Sequence, residues 1–138
     1  HPHQLVCDAF FSLDSAAYAG RSDEHGYHFL GYLIEGNGVT LYHSGDTQPY
    51  PGWYERVKKW NMDVAFLPIS HRDNLHYTQA VYFCALHQPR LVVPMHFGMF
   101  PDYTEDPIRF LGALRRNVPA QRAEVLQVGL KFCYPSGV

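Results

Sequence analysis

The run Asp63-Val64-Ala65-Phe66-Leu67-Pro68-Ile69 constrains the fold more than any other stretch of this chain. Every residue after the aspartate is apolar, without the in-out alternation of a half-exposed strand, so a strand built from it is covered on both faces. Such strands belong to sheets whose connections lay helices against them. The chain has 138 residues, enough for one domain with a core. Hydrophobic residues make up 46% and aromatics 15%, a globular composition. The formal net charge of -2 implies no basic face, so neither nucleic acid nor an anionic membrane surface is an expected partner.

The remaining elements follow in order. Leu5 to Phe11 reads as a strand, and His28 to Glu35 as a second, with Phe29, Tyr32 and Ile34 as candidates for burial. Glu35-Gly36-Asn37-Gly38 signals a hairpin into the strand Val39 to Tyr42. A short helix is predicted over Trp53 to Trp60, with Trp53, Val57 and Trp60 on one face. Thr78 is placed to cap a helix reaching about His87, with Val81, Cys84 and Ala85 toward the core. Arg90 to Pro94 is another apolar strand. Asp106 and Pro107 open a helix to about Asn117 that buries Ile108, Leu111 and Leu114. Val125 to Gln127 and Leu130 to Tyr134 are expected to close the chain as a hairpin around Gly129. The order is a β-hairpin, then β-α-β-α-β-α, then a β pair: one α/β unit with helices packed on a sheet.

In such units function gathers beyond the carboxyl ends of the strands. Three successive strands end in Ser44-Gly45-Asp46, in Ser70-His71 and in Met95-His96. Asp and His together match the ligand preferences of zinc, manganese or iron, and the nine histidines point the same way. Each residue has a plainer reading. Asp46 can cap the amides of its own turn, His96 can be a core histidine bonded to a carbonyl, and His71 can sit in a solvated polar loop. His43 should point away from Asp46 and is read as an outer or structural group. His1-Pro2-His3 is a weak motif, His25 and His28 are expected to be exposed, and His76 and His87 fall at the two ends of one helix. Cys7, Cys84 and Cys133 form no C-x-x-C pair and read as reduced core thiols of a cytoplasmic protein. No apolar run approaches the roughly 20 residues that cross a bilayer. No serine-hydrolase elbow, Walker loop or dinucleotide fingerprint is present.

His43-Ser44-Gly45-Asp46-Thr47 after the strand Gly38 to Tyr42 resembles the H-x-G-D-[TS] motif of the metallo-β-lactamase superfamily. Val93-Pro94-Met95-His96-Phe97-Gly98 is similar to that superfamily's last metal motif, P-x-H-x-G, and Asp63 to Ile69 to its D-[VL]-x-[LF]-L-P-[IV] strand. Together they most resemble the branch containing ascorbate-6-phosphate lactonase, from about Tyr27 to Tyr134.

The resemblance implies half of a metallo-β-lactamase-type αβ/βα sandwich, a mixed sheet with helices packed on one side. It implies one domain over residues 1–138, corresponding to the C-terminal half of the fold. The superfamily's first ligand motif, H-x-H-x-D-H, belongs to an N-terminal half that these residues do not contain. A further histidine ligand is usual where this chain reads Cys7 to Asp14, which has none. Asp46 would bridge metals and His96 would be a terminal ligand, with zinc or manganese expected and iron admitted. His43, Thr47, His71 and Arg72 would touch substrate or support the ligands, Arg72 by holding an anionic group. The expected activity is hydrolysis of a small anionic lactone, ester, amide or phosphoester by a metal-bound hydroxide. With two ligands, these residues alone are expected to bind metal weakly and turn over little. The expected partners are a small-molecule substrate and either a second copy or the N-terminal half. A non-catalytic binding or scaffold protein and a nuclease of the same superfamily are the alternatives.

Overall fold

A computed structural model describes residues 6–11 (backbone only), 30–50, 52–71, 74–101 and 105–135. Five strands form one mixed sheet in sequence order: β1 (Val6–Phe11), β2 (Leu30–Gly36), β3 (Val39–His43), β4 (Val64–Pro68) and β5 (Leu91–Met95). The first three pair antiparallel, and β3, β4 and β5 pair parallel. Parallel neighbours need crossovers, and helices α1 (Trp53–Val57) and α2 (Tyr77–His87) supply them; α3 (Pro107–Asn117) follows β5. The β2–β3 turn is the tight one expected, with Asn37 at φ 52° and Gly38 at φ 76° and Gly36 opposite Val39.

The three helices among the described residues lie on one face. Trp53 and Val57 of α1, Ala80, Phe83 and Cys84 of α2, and Phe110, Ala113 and Leu114 of α3 pack with Leu33, Tyr42, Ala65, Leu67 and Val92 of the sheet. Strand side chains alternate, so the next residues along face the other way. Val64, Leu91 and Val93 form a smaller cluster there with Leu41, Phe66 and Tyr134. This explains the unbroken apolar run of β4: Ala65 and Leu67 serve one face, Val64 and Phe66 the other. Tyr42 and Trp53 tie β3 to α1, the indole Nε1–H donating to the phenol oxygen at 2.9 Å.

Several local expectations shift. In β2 the core residue is Leu33, while Tyr32 is 38% exposed, because the covered face takes the opposite phase of the alternation. Phe29 lies outside the described residues, as do His1, His3, His25 and His28. The cap of α2 is His76, whose Nδ1 accepts from the Thr78 amide while Gln79 returns a bond to the His76 amide. Phe83 takes the core position expected of Ala85, which is exposed. In α3 the Asp106 cap and Pro107 stand as expected, but Phe110 is buried and Ile108 is 72% exposed. The closing hairpin does not form. Instead the chain adds one parallel bridge at Ala123 to Val92, and Val128 and Leu130 project outward. Cys84 is buried, its thiol pushed up to about 12 by desolvation, whereas Cys133 is exposed and not a core thiol. No helix among the described residues is long and apolar enough to cross a membrane.

His87 stands at the end of α2, as expected, and is packed among aromatic rings. Its ring lies 4.5 Å from that of Phe83 and stacks on Tyr54, and its Nε2 is buried without a hydrogen-bond partner among the described residues. Burial lowers its pKa below 6.5, the Lys58 ammonium adds to this, and Glu55 opposes it. The folded chain therefore binds this proton less readily than the unfolded chain. Its contribution to stability is complete above the unfolded value and is lost as pH falls through 6.5 toward the folded value. Stability by urea denaturation should decline from about pH 7.5 to about pH 5, and His87→Phe should flatten part of that decline.

The two faces of the core predict a contrast in side-chain truncation. Leu67→Ala, at a fully buried position, should cost about 2–5 kcal/mol in a urea unfolding measurement. Ile108→Ala should stay within about 0.5 kcal/mol of the parent, since its side chain is outside the core.

Candidate metal centre

The parallel strands β3, β4 and β5 deliver their carboxyl ends to one edge of the sheet. Beyond β3 the ladder continues one step, the Ser44 amide donating to the Phe66 carbonyl at 3.2 Å. Gly45 then takes φ 64°, a left-handed turn that costs glycine little. Its amide donates to His43 Nδ1 at 3.1 Å, so the imidazole takes the capping place that the plainer reading gave to Asp46. Burial lowers the pKa of His43 despite the nearby Asp46 carboxylate, which keeps the ring a neutral acceptor. Asp46 is left exposed at the strand mouth.

Beyond β5, His96 turns to φ 59° and presents its Nε2 to Asp46 Oδ1 at 3.6 Å. The imidazole is 22% exposed and the carboxylate 53%. The structure thus brings together the two residues that the sequence singles out, from strands separated by β4. With metal–ligand bonds of about 2.0–2.2 Å at a tetrahedral angle, two donors stand roughly 3.4 Å apart. The observed separation and the oxygen–imidazole donor pair both fit one shared divalent ion. Among the described residues no third His, Cys, Asp or Glu joins them in a cluster.

Between them, β4 ends in the buried Ser70 and in His71, which takes φ 68°. The loop closes on itself: the His71 amide donates to the Leu75 carbonyl at 3.2 Å. His71 is exposed, its ring 5.2 Å from that of His76, so it borders the site without joining Asp46 and His96. Arg72 lies outside the described residues. Thr47 is fully buried, and its amide donates to Asn74 Oδ1 at 3.0 Å, which ties the Asp46 turn to the loop after β4.

Asn74 and the pair Glu105–Arg109 were not legible as site residues. Glu105 is buried, accepts from Arg109 at 2.7 Å, and the guanidinium lies 5.4 Å from the centroid of the Tyr77 ring. Both sit in a polar loop and a helix start where the sequence carries no distinguishing pattern. A cleft of about 380 Å³ opens there beside Phe97 and Gly98. Asn74→Ala should remove the Oδ1 acceptor of the buried Thr47 amide and cost about 1–3 kcal/mol in urea unfolding.

Residues 5–97 match the sequence model of the beta-lactamase superfamily domain. The chain is 32% identical over 116 residues to a UPF0173 metal-dependent hydrolase of Desulfitobacterium hafniense (strain Y51), covering 84% of this chain and 46% of that protein. It is 38% identical over 95 residues to a UPF0173 metal-dependent hydrolase of Koribacter versatilis (strain Ellin345), covering 68% of this chain and 38% of that protein. The chain thus spans less than half the length of these relatives. Among solved structures, Igni18, a metallo hydrolase from Ignicoccus hospitalis, superposes with a TM-score of 0.73 at 25% identity, over 94% of this chain and 54% of its own. The isothiocyanate hydrolase from Delia radicum gut bacteria has a TM-score of 0.75 at 9% identity, over 97% of this chain and 57% of its own, a likeness of fold alone.

Proposed function

This chain belongs to the beta-lactamase superfamily, and from that premise we propose that it forms part of a metal-dependent hydrolase acting on a small anionic substrate. The carrying observation is the 3.6 Å approach of Asp46 Oδ1 and His96 Nε2 at the carboxyl ends of two parallel strands. The names of its relatives, metal-dependent hydrolases, support the same class. Asp46 and His96 would hold the ion, zinc or manganese, with iron also suited to the donors. When bound, such an ion supplies Lewis-acid polarisation of a carbonyl or phosphoryl oxygen and a water activated near neutral pH.

The chain's own contribution is placement. His43 holds the Gly45 turn, Asn74 anchors Thr47 next to Asp46, and Arg72 is assigned to an anionic group of the substrate, which it can grip bidentately. The motifs His43–Thr47, Asp63–Ile69 and Val93–Gly98 favour a lactonase-like activity, on a lactone before an ester, amide or phosphoester. Two donors are fewer than the three that a catalytic zinc takes from protein. The remaining ligands are assigned to the part of the fold that the relatives carry beyond the matched length, in the same polypeptide or a partner. Free Cys84 and Cys133 suit a reducing compartment, the cytoplasm. A non-catalytic binding role is the second reading, favoured by the same shortage of donors.

The test is metal content and zinc affinity of the purified chain beside Asp46→Ala and His96→Ala. Binding should be present in the parent and lost in both variants. Stoichiometric metal that survives Asp46→Ala would sink the assignment.

A further inference from the structure

At the opposite edge of the sheet from Asp46 and His96, the chain shapes a cleft of about 550 Å³. It lies where β5 begins, between the loop after α2 and the loop after α3, and is lined by Gln88, Arg90, Val118, Gln121, Arg122 and Tyr134 among others. Six residues of chain, at about 3.3 Å each in a strand, put Arg90 roughly 20 Å from His96. Backbone bonds fix the walls. The Val92 amide donates to the Arg122 carbonyl and the Glu124 amide to the Val92 carbonyl, each at 3.0 Å, which seats residue 122 beside the start of β5. Gln121 Nε2 donates to the Pro89 carbonyl at 2.7 Å and to the Arg122 carbonyl at 2.9 Å, tying the two loops together.

The charge of this cleft is one-sided. Among the described residues that line it, Arg90 and Arg122 are cationic and none is acidic, in a chain whose formal net charge is -2. The carboxylate that reaches Arg90 is Asp63, at 3.4 Å, and it is already engaged by the Thr40 amide at 2.8 Å and the Tyr134 hydroxyl at 3.4 Å. The Arg90 side chain is 78% exposed, so this contact contributes little, and it does not exhaust the five donors of a guanidinium. Two arginines on one preformed cleft suit a group with two charges and several acceptor oxygens, a phosphate before a carboxylate. We propose that this cleft is a phosphate-binding site, separate from the metal centre, with Arg90 and Arg122 as its anion-holding residues. Its volume is that of a small-molecule site and not of a bare ion, and Val118 and the Tyr134 ring offer apolar wall, which favours a small phosphate monoester over free phosphate. The inference goes beyond the reading of Asp46 and His96 as metal ligands and does not depend on it.

The test uses the full 138-residue chain, stripped of metal with EDTA and then dialysed, so that no bound ion can hold the anion. Inorganic phosphate and phenyl phosphate are titrated at low salt into the parent, Arg90→Gln, Arg122→Gln, Arg122→Lys and Asp46→Ala. Calorimetry reads affinity and 15N amide NMR reads location. The parent should bind, with shifts in the amides of residues 88–92 and 118–123 and none at 43–47 or 96–98. Each glutamine variant should weaken binding about 10–100-fold, the loss expected for hydrogen bonds to a charged group, and Asp46→Ala should bind as the parent does. Arg122→Lys keeps the charge but not the planar fork and should fall between. Arg90 also touches Asp63, so Arg122→Gln, checked by its urea midpoint, is the deciding variant. Tighter binding of phenyl phosphate identifies an ester as the ligand, and tighter or equal binding of inorganic phosphate identifies the free ion; either supports a phosphate site. No saturable binding in the millimolar range, binding that a folded Arg122→Gln leaves unchanged, or shifts confined to the metal-centre residues overturns the proposal.

Discussion

The carboxylate of Asp63 sets the register on which everything at the far edge of the sheet depends. It sits buried at the start of β4, where Oδ2 accepts the Thr40 amide at 2.8 Å. The Asp63 amide donates to the Thr40 carbonyl at 2.8 Å, and its carbonyl accepts from the Leu91 amide at 2.9 Å. Oδ1 lies 3.4 Å from both the Arg90 guanidinium and the Tyr134 hydroxyl. One residue thereby holds the entry of β3, β4 and β5 in a common frame. A slip of one residue in a strand would exchange its two faces. Here it would also carry Asp46 or His96 away from its partner.

From that frame the three strands leave the sheet in the same manner. Gly45, His71 and His96 all adopt positive φ, 64°, 68° and 59°. For the two histidines this conformation is uncommon and strained, and such strain concentrates at functional sites, where surrounding structure enforces it. The enforcement is visible: Asn74 and Leu75 close the loop around His71, and the final β4–β5 bond immediately precedes His96. The abrupt turns end the pleat and let side chains from separate strands converge, which regular extension would not allow.

Much of the fold was legible because its signals are local. The unbroken apolar run of β4, the Asn37–Gly38 turn and the Asp106–Pro107 helix start each act within a few residues. Errors arose where a neighbour decides. Whether Ile108 or Phe110, Ala85 or Phe83, Tyr32 or Leu33 is buried depends on where the adjoining helix lands, and amphipathic spacing leaves that phase open. The closing hairpin failed for a similar reason. Its apolar alternation is real, but the backbone at residue 123 pairs with Val92 and not with its own return strand.

For the site, residue type and position at strand ends made Asp46 and His96 candidates, and the motif resemblance made them expected ligands, since their metal preferences are intrinsic. Composition and motif carried no information on distance. That the two meet at 3.6 Å, and that Asn74 ties the Thr47 amide next to Asp46 to the loop after β4, were decided by the parallel register across β4. Those contacts join residues far apart in the chain, and a hydroxyl or an amide has no identity as a partner until packing excludes water and brings one other group within reach.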